Sequence, residues 1–294
     1  MNRRTIGPMT LVTTPEPLHK VAKQPASLIA LWRRLRQEAE DACAKERALA
    51  PLFVNSILNR STFEDAVIHR VAARLGNETV PAFLIGDAFA QALADDPAIG
   101  AAFRDDIRAV IEHDPACERL IEPFLYCKGF HAIQTHRLAH WLWRRGRRDF
   151  AFYLQSRASD VFQTDINPAA RIGKGIFLDP ATGFVVGSTA VIDDDVSILQ
   201  NVTLGRAGEE TGDRCPKVRR GVMIGAGAKI LGDIEIGSCS RIAAGSVVLQ
   251  SAPPNTTMAG VPARPVGAAG CAEPARNMNQ ILSQLSYDSF SYPI

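Results

Sequence analysis

The sequence predicts an α+β fold, in which a helical N-terminal domain leads into a β-helix of hexapeptide repeats. The main observation is an aliphatic ladder with a period of six. It runs through Ile166, Ile172, Leu178, Phe184, Ala190, Val196 and Val202, then restarts at Val218 and continues through Ile224, Ile230, Ile236, Ile242 and Val248. A helix repeats its apolar face every three or four residues and a strand every two, so a period of six fits a solenoid whose short strands form the walls of a prism. Small residues fill the other phases, as in IGAGAK from 224 and IAAGSV from 242, where glycine permits the corner conformations. The second observation is that Val202 and Val218 are not a multiple of six apart, so residues 205–217 leave the prism as an excursion loop. Third, apolar residues ahead of the ladder recur at helical spacing instead.

Taken in order, residues 1–24 carry prolines at 8, 15 and 17 and little periodicity, and read as a mobile extension. A helical domain over 25–164 follows. Its first helix starts at Ser27 and aligns Leu28, Leu31, Leu35 and Ala39 on one face. A second spans 61–75, with Ser61 and Glu64 as a capping box. Helices are also expected over 81–94 and 99–113, the latter ended by Asp114-Pro115 because proline cannot extend a helix. A longer one runs from Phe130 to Trp143, and the last from Gly146 toward Phe162. The β-helix occupies 165–268 and a tail 269–294. Pro168 and Pro180 each follow a ladder residue by two, so both fall in one corner phase that tolerates proline.

Composition narrows the function. With 33 basic and 31 acidic residues in 294, the net charge of +2 gives no electrostatic basis for binding nucleic acid. The N-terminal residues have no apolar signal region, and no run of apolar residues is long enough to span a membrane. Six cysteines without CxxC spacing read as free thiols, which implies a cytoplasmic address. His136 and His140 have a metal-ligand spacing on a helix but no evident third ligand, so they read as packed or surface side chains and no metal is expected. The run RRGRR at 144–148 reads as a solvated helix end.

Several segments together carry a family resemblance. They are LYCKGFHAIQTHRLAHWLWRRGRR, FQTDINPAARIGKGIFLDPATGFVVG, VSILQNVTLG, GDRCPK with GVMIGAGAKILG, and AGVPAR at 259–264. The chain resembles serine O-acetyltransferase, which moves acetyl from acetyl-CoA to L-serine on the way to cysteine. The resemblance implies a left-handed β-helix and trimers packed through their prisms, with two trimers joining through the helical domains. It also implies a site between neighbouring prisms.

Attack of a serine hydroxyl on a thioester needs a base and donors for the oxyanion. The family supplies a histidine oriented by an aspartate, and the aspartate matches Asp165. The histidine matches Pro180, because the family's LDHATG reads LDPATG here. A second family histidine, in GDRHPK, matches Cys215. All six histidines precede the ladder, so impaired catalysis is expected. Cys215 lies between Arg214 and Lys217, charges that favour a thiolate and would suit an acyl acceptor. His113, beside Asp114, is a surrogate base to weigh against an exposed helix-end histidine favoured by the dipole. Family positions that bind the serine ammonium and carboxylate match Asp114, Asp179 and Arg214, and all three have suitable side chains. Positions that grip CoA match Ala226 and Ala244, with Arg264 at the far end, while TLGRAG puts Arg206 where the family has glycine. The alternative is a non-catalytic member that binds O-acetylserine sulfhydrylase (cysteine synthase) through its C-terminal Ile294.

Overall fold

The computed structural model describes residues 28–208 and 212–280. The expected extension at 1–24 and the tail end with Ile294 lie outside the described residues.

Helix α1, Leu28–Lys45, buries Leu31, Leu35 and Ala39 along one face, as the spacing predicts. The chain from Arg47 to Leu58 is also helical, with 3-10 and π turns on either side of α2, Ala50–Phe53. Pro51 fits there because the first turn of a helix needs no amide donor. Helix α3, Phe63–Leu75, is capped one residue later than the sequence suggests. The Thr62 side chain accepts from the Asp65 amide at 3.1 Å, and the Asp65 carboxylate accepts from the Ser61 amide at 3.1 Å. Glu64 pairs instead with Arg104. Four more helices come near their expected places: α4, Ala82–Asp95; α5, Ala98–His113; then, after the short unforeseen α6, Ile121–Leu125, α7, Lys128–Arg144, and α8, Arg148–Phe162. Phe63, Phe89, Phe103, Phe124 and Phe162 fill their common core.

The prism begins two residues after α8. Its strands, in chain order, are β1 Thr164–Ile166, β2 Arg171–Ile172, β3 Phe177–Leu178, β4 Phe184–Val186, β5 Val191–Ile192, β6 Ser197–Ile198, β7 Thr203–Gly205, β8 Lys217–Val218, β9 Met223–Ile224, β10 Lys229–Leu231, β11 Glu235–Ile236, β12 Arg241–Ile242 and β13 Val247–Val248. A first face stacks β1-β4-β7-β10-β13, a second β2-β5-β8-β11 and a third β3-β6-β9-β12, all parallel. The third face is closed by β14, Thr256–Gly260, and the antiparallel β15, Ala263–Ala268. Ladder residues from Leu178 onward are buried, and each of the larger ones (Val, Leu, Ile and Phe) is worth roughly 1.5–3 kcal/mol.

The register corrects the ladder at one point. Ile166 stacks on Val186, Ile172 on Ile192 and Leu178 on Ile198, each pair twenty residues apart. Val186 then stacks on Leu204, eighteen residues on, and Val218 on Ile236 does the same. The first coil thus carries two extra residues, and they lie in the corner between Leu178 and Phe184 that holds Pro180. Pro168 sits in an ordinary four-residue turn, so the two prolines do not share one corner type. The excursion loop adds eight residues beyond a standard coil, since Ile192 pairs with Val218.

One buried ion pair joins the two units. Asp106 on α5, 1 % exposed, accepts from Arg137 Nη2 at 2.7 Å, from Gln134 at 3.0 Å and from the Ile176 amide of the prism at 3.0 Å. Arg137 also reaches the Gly173 carbonyl at 2.8 Å, which fixes α5 and α7 to the first coil. At the other end, α9, Pro274–Asn277, lies on the third face, where Ser197 Oγ donates to the Ala275 carbonyl at 2.8 Å. No helix among the described residues is long and apolar enough to cross a membrane. All six cysteines are free thiols.

Candidate active site

Most of the prism residues singled out from the sequence fall on two of its edges. The edge between the third and first faces carries the turns at 179–183, 199–202, 225–228 and 243–246. They stack through one backbone column, with the Asn201 amide on the Thr182 carbonyl, Gly227 on Gln200 and Gly245 on Ala226, each at 2.8 Å. Ala226 and Ala244 therefore lie on the same edge as Asp179 and Pro180. A Cβ on Gly225 would come within 2.6 Å of the Ala244 amide, so glycine is needed for the coils to close there. Arg264 lies on β15, exposed, at the end of the third face.

At the head of that edge, the first turn of α7 sits on the end of β3. A Cβ on Gly129 would overlap the Leu178 carbonyl at 1.6 Å, so only glycine allows the contact. The approach delivers Lys128, whose Nζ donates to Thr182 Oγ1 at 2.5 Å and to Gln163 at 2.7 Å. Asp114 arrives from the turn after α5, which its Oδ1 fixes by accepting from the Ala116 amide at 2.8 Å. Burial raises the Asp179 carboxyl above its ordinary range, the Asp114 carboxylate adds to this, and Lys128 opposes it. Cys127 belongs to the same group. Burial first, then Asp179, push its thiol up to about 12, so it is held as an unreactive thiol. Pro180 is exposed beside these groups and has no proton acceptor on its side chain. Asp165 lies on the outward side of β1, its Oδ1 accepting from Gln155 at 2.5 Å.

The excursion loop leaves from a different edge, between the first and second faces. The Arg214 amide donates to Thr189 Oγ1 at 3.1 Å, and Lys217 Nζ ties the loop to the Thr189 carbonyl at 3.0 Å and to the Cys215 carbonyl at 2.8 Å. Arg206 is exposed just past β7. Cys215 is not where the sequence suggests. Only 2 % exposed, its side chain packs in the prism core against Gly187, where an added Cβ would sit 2.5 Å from its Sγ. It fills space and is not offered to an acyl donor.

His113 also departs from expectation. It is 3 % exposed, not a solvated helix end. Its Nδ1 donates to Ser197 Oγ at 2.9 Å, Ser197 Oγ in turn donates to the Ala275 carbonyl, and the ring packs 5.8 Å from Phe177. That position, beneath α9 on the third face, is a structural one. His136 and His140 are packed, as read from the sequence: His140 Nδ1 donates to the Pro168 carbonyl at 2.8 Å, and burial lowers His136 to about 3. They line a cleft of about 1090 Å³ between α4, α5, α7 and the second face, away from Asp179. The described residues contain no cluster of three or more metal-binding side chains. Among the groups at the Asp179 edge, sequence reasoning missed Lys128 and Cys127. The one signal was the Lys-Gly pair opening a helix.

A helical unit followed by a stacked hexapeptide prism places the chain among the hexapeptide-repeat transferases. Residues 216–250 match the family model for the bacterial transferase hexapeptide (six repeats), and residues 31–135 match that for serine acetyltransferase, N-terminal. The serine acetyltransferase of Salmonella typhimurium is 49 % identical over 89 % of this chain and 96 % of its own. A serine acetyltransferase from Brucella abortus, solved in complex with coenzyme A, is 57 % identical with a TM-score of 0.81, covering 82 % of this chain and 97 % of that one. A serine acetyltransferase solved in complex with cysteine is 48 % identical with a TM-score of 0.85, over 87 % and 100 %. The chain belongs to the serine acetyltransferase family.

Proposed function

We propose that this protein transfers the acetyl group of acetyl-CoA to the hydroxyl of L-serine, giving O-acetylserine for cysteine biosynthesis, at a rate limited by the absence of a histidine at Pro180. The observation that carries the reading is the convergence of Asp114, Asp179 and Lys128 at the head of the edge that bears Ala226 and Ala244. The Asp114 carboxylate suits the serine ammonium, Arg214 suits its carboxylate, and the edge below suits CoA. Asp165 keeps its family position, although no imidazole follows it at Pro180.

Asp179 and Arg214 lie on different edges of one prism. A pocket that uses both needs the Arg214 loop of a second copy, so the working unit is a trimer, with a dimer of trimers as the larger form. The cytoplasm is the matching compartment for a chain with six free thiols. Docking of Ile294 into O-acetylserine sulfhydrylase is a separate property that either an active or an inactive member can have. The comparisons favour the enzyme over a purely non-catalytic partner. The test is thiol release from acetyl-CoA that depends on L-serine and is absent with L-alanine, which lacks the acceptor hydroxyl. Equal release with both would refute the assigned acceptor.

A further inference from the structure

The missing base leaves the acceptor proton without a destination, and the edge offers one. We propose that Asp179 is the catalytic base in this chain, taking the proton of the acceptor hydroxyl in place of the histidine that the family carries at the next position. The inference rests on the acetyltransferase reading and deepens it.

Asp179 directly precedes Pro180 in the corner that holds the two extra residues of the first coil. Its carboxylate is half-buried and makes no hydrogen bond or ion pair among the described residues. The other groups have fixed tasks. Lys128 is bound to Thr182 and Gln163, and Asp165 to Gln155. Asp114 has one oxygen on the Ala116 amide and leaves the other for the ammonium. His113 is committed to Ser197, and Cys215 is closed inside the prism. Among the described residues, the charged or titratable groups that face Asp179 are Asp114 from the turn after α5, and Cys127 and Lys128 from the start of α7. Burial and Asp114 hold its proton affinity above that of an ordinary aspartate, in the direction a base needs, and Lys128 limits the effect.

The step balances without an added reagent. As the serine oxygen bonds to the thioester carbonyl carbon, its proton passes to an Asp179 oxygen. Collapse of the tetrahedral intermediate breaks the C–S bond, and Asp179 returns the proton to the departing thiolate, giving O-acetylserine and CoA.

The experiment compares kcat for the full chain and for D179N, P180H and D179N/P180H, with L-serine and acetyl-CoA. Calorimetry with CoA on each variant verifies that the site is intact. If Asp179 is the base, D179N lowers kcat by about 10²-fold or more in the parent. In the P180H background, where an imidazole takes the proton, the same change costs less than about tenfold. The P180H pH profile then gains an acid limb from its imidazole near about pH 6.5. An equal loss in both backgrounds would mean that Asp179 only binds substrate, and would overturn the proposal. So would a D179N protein with the parental kcat, or a parent with no transfer above the enzyme-free blank. In each case P180H separates the two failures: if it turns over with L-serine, the acetyltransferase reading stands and only the base is wrong.

Discussion

Asp106 shows how much one side chain can decide. It takes hydrogen bonds from two side chains of α7 and from the backbone of the prism, and its partner Arg137 is also nearly buried. Removing one member of such a pair leaves the other charged and desolvated. Asp106→Ala should therefore cost about 3–5 kcal/mol of unfolding free energy, read from the midpoint of a urea titration. A loss near zero would mean that Arg137 finds water or another acceptor. Nothing in the sequence marks Asp106, because an acidic residue in an amphipathic helix reads as solvated and its partner lies outside that helix. Pro180 was legible for the opposite reason. It stands where the family resemblance implies a histidine, and the structure adds only that no histidine from elsewhere fills the gap among the described residues. Cys215 was legible by position but not by orientation, since alternation along the loop does not say which way the chain turns.

Among the elements, α7 joins the two units and carries two buried neutral histidines. His131 Nε2 donates to the Phe124 carbonyl at 2.7 Å and its Nδ1 accepts from Arg74 at 3.0 Å; burial brings it, like His136, to about 3. The folded state excludes these two protons while the unfolded chain binds them below about 6.5, so stability is complete above that pH and is lost as the pH falls. The slope should approach about 2.7 kcal/mol per pH unit between roughly pH 6 and 4, from about 1.4 per histidine. Chemical denaturation across that range would measure it. His131→Gln with His136→Gln should flatten the slope, and an unchanged slope would show that other groups govern acid unfolding. The ladder was legible in the sequence because burial enforces its period, but the slip in the first coil was not. Each rung has two inward positions two residues apart, as Phe184 and Val186 are, or Val196 and Ile198. An insertion of two therefore swaps one inward position for the other and leaves the pattern intact. The helical run from Arg47 to Leu58 was hidden by Pro51, which reads as a breaker yet sits in a first turn.

Across the whole molecule, the helical unit sets Asp114 and Lys128 over one edge of the prism while Arg214 belongs to another edge. A pocket shared between copies predicts complementation. Asp114→Ala and Arg214→Ala proteins, each nearly inactive, should regain activity when unfolded together and refolded as mixed oligomers, because some interfaces then carry neither change. Statistical mixing in trimers recovers about one quarter of the unmodified activity if each pocket uses one residue from each of two copies. No recovery in verified mixed oligomers would place both residues in one protomer's pocket.

In the proposed reading, this family member keeps its pocket and has lost the group that made it fast. Serine-dependent thiol release by the full chain, measured beside P180H, decides between that reading and its alternatives. A single histidine at 180 is the right variant, because Cys215 lies buried and an imidazole there would strain the prism. A positioned general base is worth about 10²–10⁴ in rate, so P180H should exceed the parent kcat by at least about tenfold, with the remainder held back by Asp179 acting in the parent. A P180H protein that binds CoA and turns over no faster than the parent would show that the missing imidazole does not limit the rate.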